Sequence, residues 1–333
     1  MKVLFSFMLL LVTALHAGAK TPTFDLPAGH KPVRVLNDDK QAYLVTDKAV
    51  LLLGKEGSKE VVKDAGAIAD ALLSGNQLWL ATSDGLKVYD RKSRALLHQY
   101  FGGKQVPAIG LDVYNRVWVA TAHDGVYMQV AADSFIQKLN MSAAYSLVCT
   151  KDSSVWIGTN IGMYHVSATD FNMVRYAEEG YSGHELPDNL VERLYKDDAS
   201  NVWVLMPDNI SFKSSSQYAG EIPSFGFVGE QRNEIATIVA LQQLSYLFVT
   251  GKGVILLPSS SLREESHQHN SEIFAAHTTQ AFALSGAQLG TPDALKNSPV
   301  LFAEKTGNDI YFITAAGGWK IREKQLLKLM LKG

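Results

Sequence analysis

The chain has 333 residues, a formal charge of −2 from 31 basic and 33 acidic side chains, and 47% hydrophobic content. That balance argues against a nucleic-acid partner, which needs a basic face. A lone cysteine, Cys149, rules out an internal disulfide, so packing must hold the fold together.

The chain opens MKVLFSFMLLLVTALHAGAK. Lys2, an apolar run from Val3 to Leu15 and the small residues Ala17, Gly18 and Ala19 predict a signal peptide over residues 1–19. The run is too short to span a bilayer, and later apolar patches such as VILLP and SYLFV are strand-length. Residues 20–333 are therefore expected to be periplasmic or secreted, and not membrane-spanning after cleavage.

A repeated pattern follows: AYLVTDKAVLLL from Ala42, LWLATSDGLKVY from Leu78, VWVATAHDGVYM from Val117 and VWIGTNIGMYHV from Val155. Looser copies are VWVLMPDNISFK from Val202, YLFVTGKGVILL from Tyr246 and IYFITAAGGWKI from Ile310. Their central residues, Tyr43, Trp79, Trp118, Trp156, Trp203, Leu247 and Tyr311, are spaced by 36, 39, 38, 47, 44 and 64 residues. Each copy follows an alternating run with a polar turn and precedes a less regular fourth run. Four short strands at a period near 40 predict an all-β fold, a single seven-bladed β-propeller of four-stranded antiparallel blades. The long last interval predicts an insertion in blade six at about 258–298, with an outer strand somewhere in EIFAAHTTQAFAL. The central aromatics are read as bulk between blades. Thr46, Thr82, Thr121, Thr159, Thr250 and Thr314 are read as hydroxyls bonding the next turn, and Gly85, Gly125, Gly162, Gly253 and Gly318 as turn residues. Cys149, in SLVCTKD, is read as a buried, inert thiol. The tail KQLLKLMLK is expected to be the outer strand of blade seven, or to close the ring with TPTFDLP, with an amphipathic helix as the alternative.

The turns between second and third strands carry Asp47, Lys48, Asp84, His123, Asp124, Asn160, Asp208 and Lys252. As a ring they form a polar rim of acidic bias, suited to a sugar, a cation or a basic peptide. The loop EEGYSGHELPDN adds Tyr181, His184 and Glu185 as an aromatic plate with hydrogen-bonding groups. The candidate ligand-binding set is Asp84, His123, Asp124, Asn160, Tyr181, His184, Glu185, Asp208 and Lys252. No catalytic or metal residue is assigned and no cofactor is expected. His267, His269 and His277 match no standard zinc spacing, HELPD lacks the second histidine of HExxH, and GYSGH lacks the G-x-S-x-G spacing.

HELPDNLVERLYKDDASNVWVL (His184 to Leu205), SLVCTKDSSVWIGTNIGMYHV (Ser146 to Val166) and GLDVYNRVWVATAHDGVY from Gly110 resemble the repeat of the two-component regulator propeller family. The resemblance covers about residues 30 to 325. It implies a periplasmic sensing propeller that takes glycans or other nutrients, read here as standing alone, without kinase or transmembrane parts. The expected function is an exported, non-enzymatic ligand-binding or sensor-accessory protein, with a small molecule or glycan at the channel mouth. The alternatives are an interaction scaffold for an envelope protein, or a propeller lyase or hydrolase using His123–Asp124 or His184–Glu185.

Overall fold

In the computed structural model the described residues are 23–38, 40–54, 57–179, 185–215, 224–225 (backbone only), 234–242, 245–258 and 281–331. They form seven four-stranded antiparallel sheets, six with their strands side by side in chain order and the seventh completed by a strand from near the start of the chain, which is the expected propeller. The second strands are Ala42–Thr46, Gln77–Thr82, Val117–Thr121, Ser154–Thr159, Val202–Leu205, Tyr246–Thr250 and Asp309–Thr314. All are almost wholly buried. A neighbouring blade covers both faces of each, so they read as continuous apolar runs without in–out alternation. Trp118 and Trp203 are fully buried, and Trp79 and Trp156 nearly so. The repeated aromatic is core.

All six threonines make the expected turn bond. Their hydroxyls donate to Ala49 O, Gly85 O, Gly125 O, Gly162 O, Gly253 O and Gly317 O at 2.6–3.0 Å. In blade seven the turn glycine is Gly317 (φ +132°), paired with Thr314; Gly318 lies one residue into the strand. The expected turn residue, Gly318, gives way to its neighbour, because the three-residue spacing from threonine to glycine seen at Thr159 and Gly162 falls on Gly317.

The ring closes on Thr23–Phe24, which pairs with Trp319 and Gly318 as the outer strand of blade seven. TPTFDLP therefore has the closing role, and the tail does not. Glu323–Met330 is an α-helix, the less favoured of the two readings. The outer position is already filled, and the three-to-four residue spacing of Leu326, Leu329 and Met330 puts them on one helical face. Leu326 is fully buried in a core with Leu289, Trp319 and Ile321. Glu323, buried at the helix start, accepts from Gln242 N at 2.6 Å and Lys305 Nζ at 3.0 Å. Among the described residues the outer strand of blade six is Phe282–Ala283, at the end of the run proposed for it. His267, His269 and His277 lie outside the described residues, as does the proposed signal peptide.

Cys149 sits in the space left by Gly110, where a Cβ would stand 2.7 Å from its sulfur. It is 3% exposed, and burial pushes its thiol up to about 12. Since the thiolate is the nucleophile, native protein at pH 8 should resist iodoacetamide and the urea-unfolded chain should take one equivalent. Mass spectrometry of the two samples checks this; rapid native labelling would mean the blade three–four seam opens.

Candidate functional site

The inner strands, Pro32–Asn37, Ile68–Ser74, Ala108–Leu111, Ala144–Cys149, Arg193–Lys196, Ile235–Ala240 and Val300–Thr306, surround a central cavity of about 530 Å³. Each starts opposite the end of its second strand, so the cavity opens at the end that carries the rim turns. In five blades the pairing skips one residue at this point: Val33, Ala69, Tyr145, Ala236 and Leu301. A bulge leaves its extra residue out of the ladder and re-aims the side chain. All five line the cavity, as do Pro107 of blade three and Glu192 of blade five. Tyr145 and Leu301 are each 41% exposed.

Below this ring the wall turns polar. Arg34 donates through Nε and Nη2 to Asp70 Oδ1 at 3.0 and 2.5 Å, and through Nη1 to Glu304 Oε1 at 3.4 Å. Asp70 foremost holds the guanidinium's pKa above its ordinary value. Burial pushes the Glu304 carboxyl upward, against the pull of Arg34 and the Val35 N–H.

Much of this polarity does structural work. An inner strand is a sheet edge, and its outward N–H groups need acceptors. Asp70 Oδ2 accepts from Ile109 N at 3.1 Å, Ser146 Oγ from Leu194 N at 3.0 Å, Thr237 Oγ1 from Ala303 N at 3.1 Å, and Glu304 from Val35 N. Each bond ties one blade to the next around the channel. Arg193 and Tyr195 join blade five to blade six through Ala236 O, at 3.3 and 2.6 Å.

The residues nominated from the sequence lie elsewhere. Asp84, His123, Asn160, Asp208 and Lys252 are exposed on rim turns, with Asp124 half-buried among them. Asp84 accepts from Gly103 N at 2.9 Å, and this bond above all lowers its pKa. Asp124 pairs with Lys104 at 3.3 Å. Glu185 is exposed and bridges Ala177. Tyr181 and His184 lie outside the described residues. None of the described nominees lines the cavity. The channel residues were missed because a bulge reverses the in–out alternation of a strand, so periodicity alone gives the wrong face. The available signal was a polar residue beside an apolar one at the start of each first run, as in PVRV and IADA.

No family model matches the chain, and no curated protein does. Solved structures do. The extracellular domain assigned to the hybrid two-component system BT4673 of B. thetaiotaomicron aligns at TM-score 0.66 and 16% identity, over 90% of this chain and 39% of that one. The likeness is one of fold. Virginiamycin B lyase from Staphylococcus aureus aligns at 0.64 with 11% identity, over 91% of this chain and 99% of the lyase. PorZ, a surface component of the type-IX secretion system of Porphyromonas gingivalis, aligns at 0.50 and 13%, over 88% of this chain and 43% of PorZ. This chain thus spans about two fifths of that extracellular domain. Among the described residues no helix is long and apolar enough to cross a membrane.

Proposed function

We propose that this propeller is an exported, non-enzymatic binding module that takes a small molecule or glycan into the mouth of its central channel. The observation that carries this reading is the bulge-built ring, a concave wall of about 530 Å³ that keeps Tyr145 and Leu301 exposed inside it. Sites of this size with apolar walls and a few convergent polar groups suit small ligands, and a rigid ring lowers the cost of ordering the site. The rim turns with Asp84, His123, Asp124, Asn160, Asp208 and Lys252, and the loop with Tyr181, His184 and Glu185, would supply outer contacts to a longer ligand. Arg34, Asp70 and Glu304 are committed to one another and to backbone N–H groups, which leaves them poorly placed for acid–base work. The leader-like residues 1–19 and the likeness to an extracellular sensor domain support export and a sensing role.

A thermal-shift screen of residues 20–333 against sugars, sugar acids and peptides tests the reading. A ligand at about 100 times its Kd adds roughly 2.7 kcal/mol, worth a few degrees or more in a domain of this size. Ala69→Trp, which places an indole in the mouth, should abolish the shift and leave the unliganded midpoint unchanged. Undiminished binding by that variant would move the site to the rim.

The second reading is an interaction scaffold in an envelope assembly. Its support is the exposed outer strand of blade two, where Leu96 and Leu97 are 49% and 43% exposed, and the likeness to PorZ. Cross-linking from position 97 in the native envelope would capture a partner under this reading alone.

A further inference from the structure

The channel holds two arginines in different circumstances. Arg34 is neutralised by Asp70 and Glu304, a trio whose full ionisation leaves an excess of negative charge. Arg193 is exposed on the inner strand of blade five and also lines the cavity. Its hydrogen bonds to the backbone run from Nη1 alone, to Ile235 O at 3.5 Å and Ala236 O at 3.3 Å, and its charge lies beside the Tyr195 hydroxyl. No carboxylate among the described residues lies within ion-pairing distance of it. A guanidinium presents its donors as a rigid fork that matches a carboxylate in a bidentate pair, and such charge-assisted bonds are about twice as strong as neutral ones.

We infer that the channel takes a ligand with a carboxylate on a ring that has an apolar face, of which a uronic acid is the type, and that Arg193 receives the anionic end. The inference rests on the channel reading above. Tyr145, on the adjacent blade four, and Leu301, on blade seven, offer the surface such a ring would cover, and a sugar face stacks on an aromatic plate. Glu192, just before the inner strand of blade five, is exposed at the mouth and can accept from ring hydroxyls. Arg34 would not compete for the carboxylate, because its own two carboxylates already occupy it.

The probes are two isosteric pairs, D-galacturonate with D-galactose and benzoate with benzyl alcohol, titrated calorimetrically into the wild type, Arg193→Gln, Arg193→Lys and Tyr145→Ala. The expected result is that each acid binds at least ~20-fold more tightly than its neutral partner. Arg193→Gln should remove that preference, a loss in the range expected of a charged hydrogen bond, with Arg193→Lys keeping part of it. Tyr145→Ala should weaken acids and neutral partners alike. Arg193 is exposed and the shorter Tyr195 bond to Ala236 O remains, so both its variants should unfold close to the wild-type urea midpoint, which shows that a change in binding is local. Equal affinity for acids and neutral compounds, unaffected by Arg193→Gln, would overturn the anion assignment and leave the channel site standing. If none of the four probes bound at millimolar concentration while Ala69→Trp still abolished a hit from the wider screen, the anion assignment alone would fall. Hits that survive Ala69→Trp would overturn the channel reading and this inference together.

Discussion

Gly162→Ala should cost about 4 kcal/mol of stability, and Gly253→Ala about 1–2, although both glycines open the third strand of their blade in the same turn. Both have φ in the region L residues avoid, +112° and +124°, so each substitution carries the same backbone strain of roughly 1–3 kcal/mol. The difference lies outside the turn. A Cβ on Gly162 would stand 2.1 Å from Tyr176 O, the last carbonyl of the outer strand in its own blade. A Cβ on Gly253 meets nothing within 4 Å among the described residues, where the outer strand of blade six pairs opposite Ile255 and Leu256. Displacing a packed strand to relieve a backbone clash adds ~1–3 kcal/mol to the strain. Urea unfolding of the two variants separates the contributions. Equal losses would show that strain alone matters and that the outer strand moves aside freely.

The same comparison shows what could be read from the residues. VWIGT, VWVAT and LWLAT recur because each second strand must bury both faces, so the seven blades were legible from the spacing of one buried residue, aromatic in six of them and Leu247 in the other. Thr159 and Gly162 belong to that recurring unit, and their bond at 2.6 Å is the one the pattern implied. The tail was misread because Leu326, Leu327, Leu329 and Met330 fit a short strand nearly as well as a helix. Only the occupation of the outer position by Thr23–Phe24 decides between them. The channel was harder still. Rim residues such as Asp84 and Asp124 announce themselves as polar turn tips, but their bonds to Gly103 and Lys104 tie them to neighbouring chain. The channel wall is set by which residue each bulge leaves unpaired, and that depends on how the first strand meets the second. Arg34 follows the skipped Val33 of blade one and Arg193 follows Glu192 at the start of the regularly paired inner strand of blade five, and both line the cavity. What the neighbouring blades bring to each sets them apart, and no reading of a single strand supplies that.

Asp70→Ala should destabilise the ring by ~3–5 kcal/mol, and Asp70→Asn by roughly 1.5–3. Asp70 is 5% exposed and serves three blades: Arg34 of blade one at 2.5 and 3.0 Å, Ala71 N of its own strand at 2.8 Å, and Ile109 N of blade three at 3.1 Å. Alanine leaves two backbone donors without an acceptor and Arg34 with Glu304 alone. Asparagine keeps one oxygen for an N–H and gives up the ion pair. The change should appear as a lower urea midpoint with the slope unaltered, since the folded ring is lost as one unit. Galacturonate affinity, measured well below that midpoint, should not fall by more than about threefold, because Arg193 keeps its fork for the carboxylate and losing Asp70 only takes a negative charge from the channel wall. The opposite pattern, unchanged stability with lost affinity, would make the Arg34 trio part of the binding surface. Stability and binding would then draw on different arginines from those assigned here, with the anionic ligand end displaced from Arg193 toward blade one.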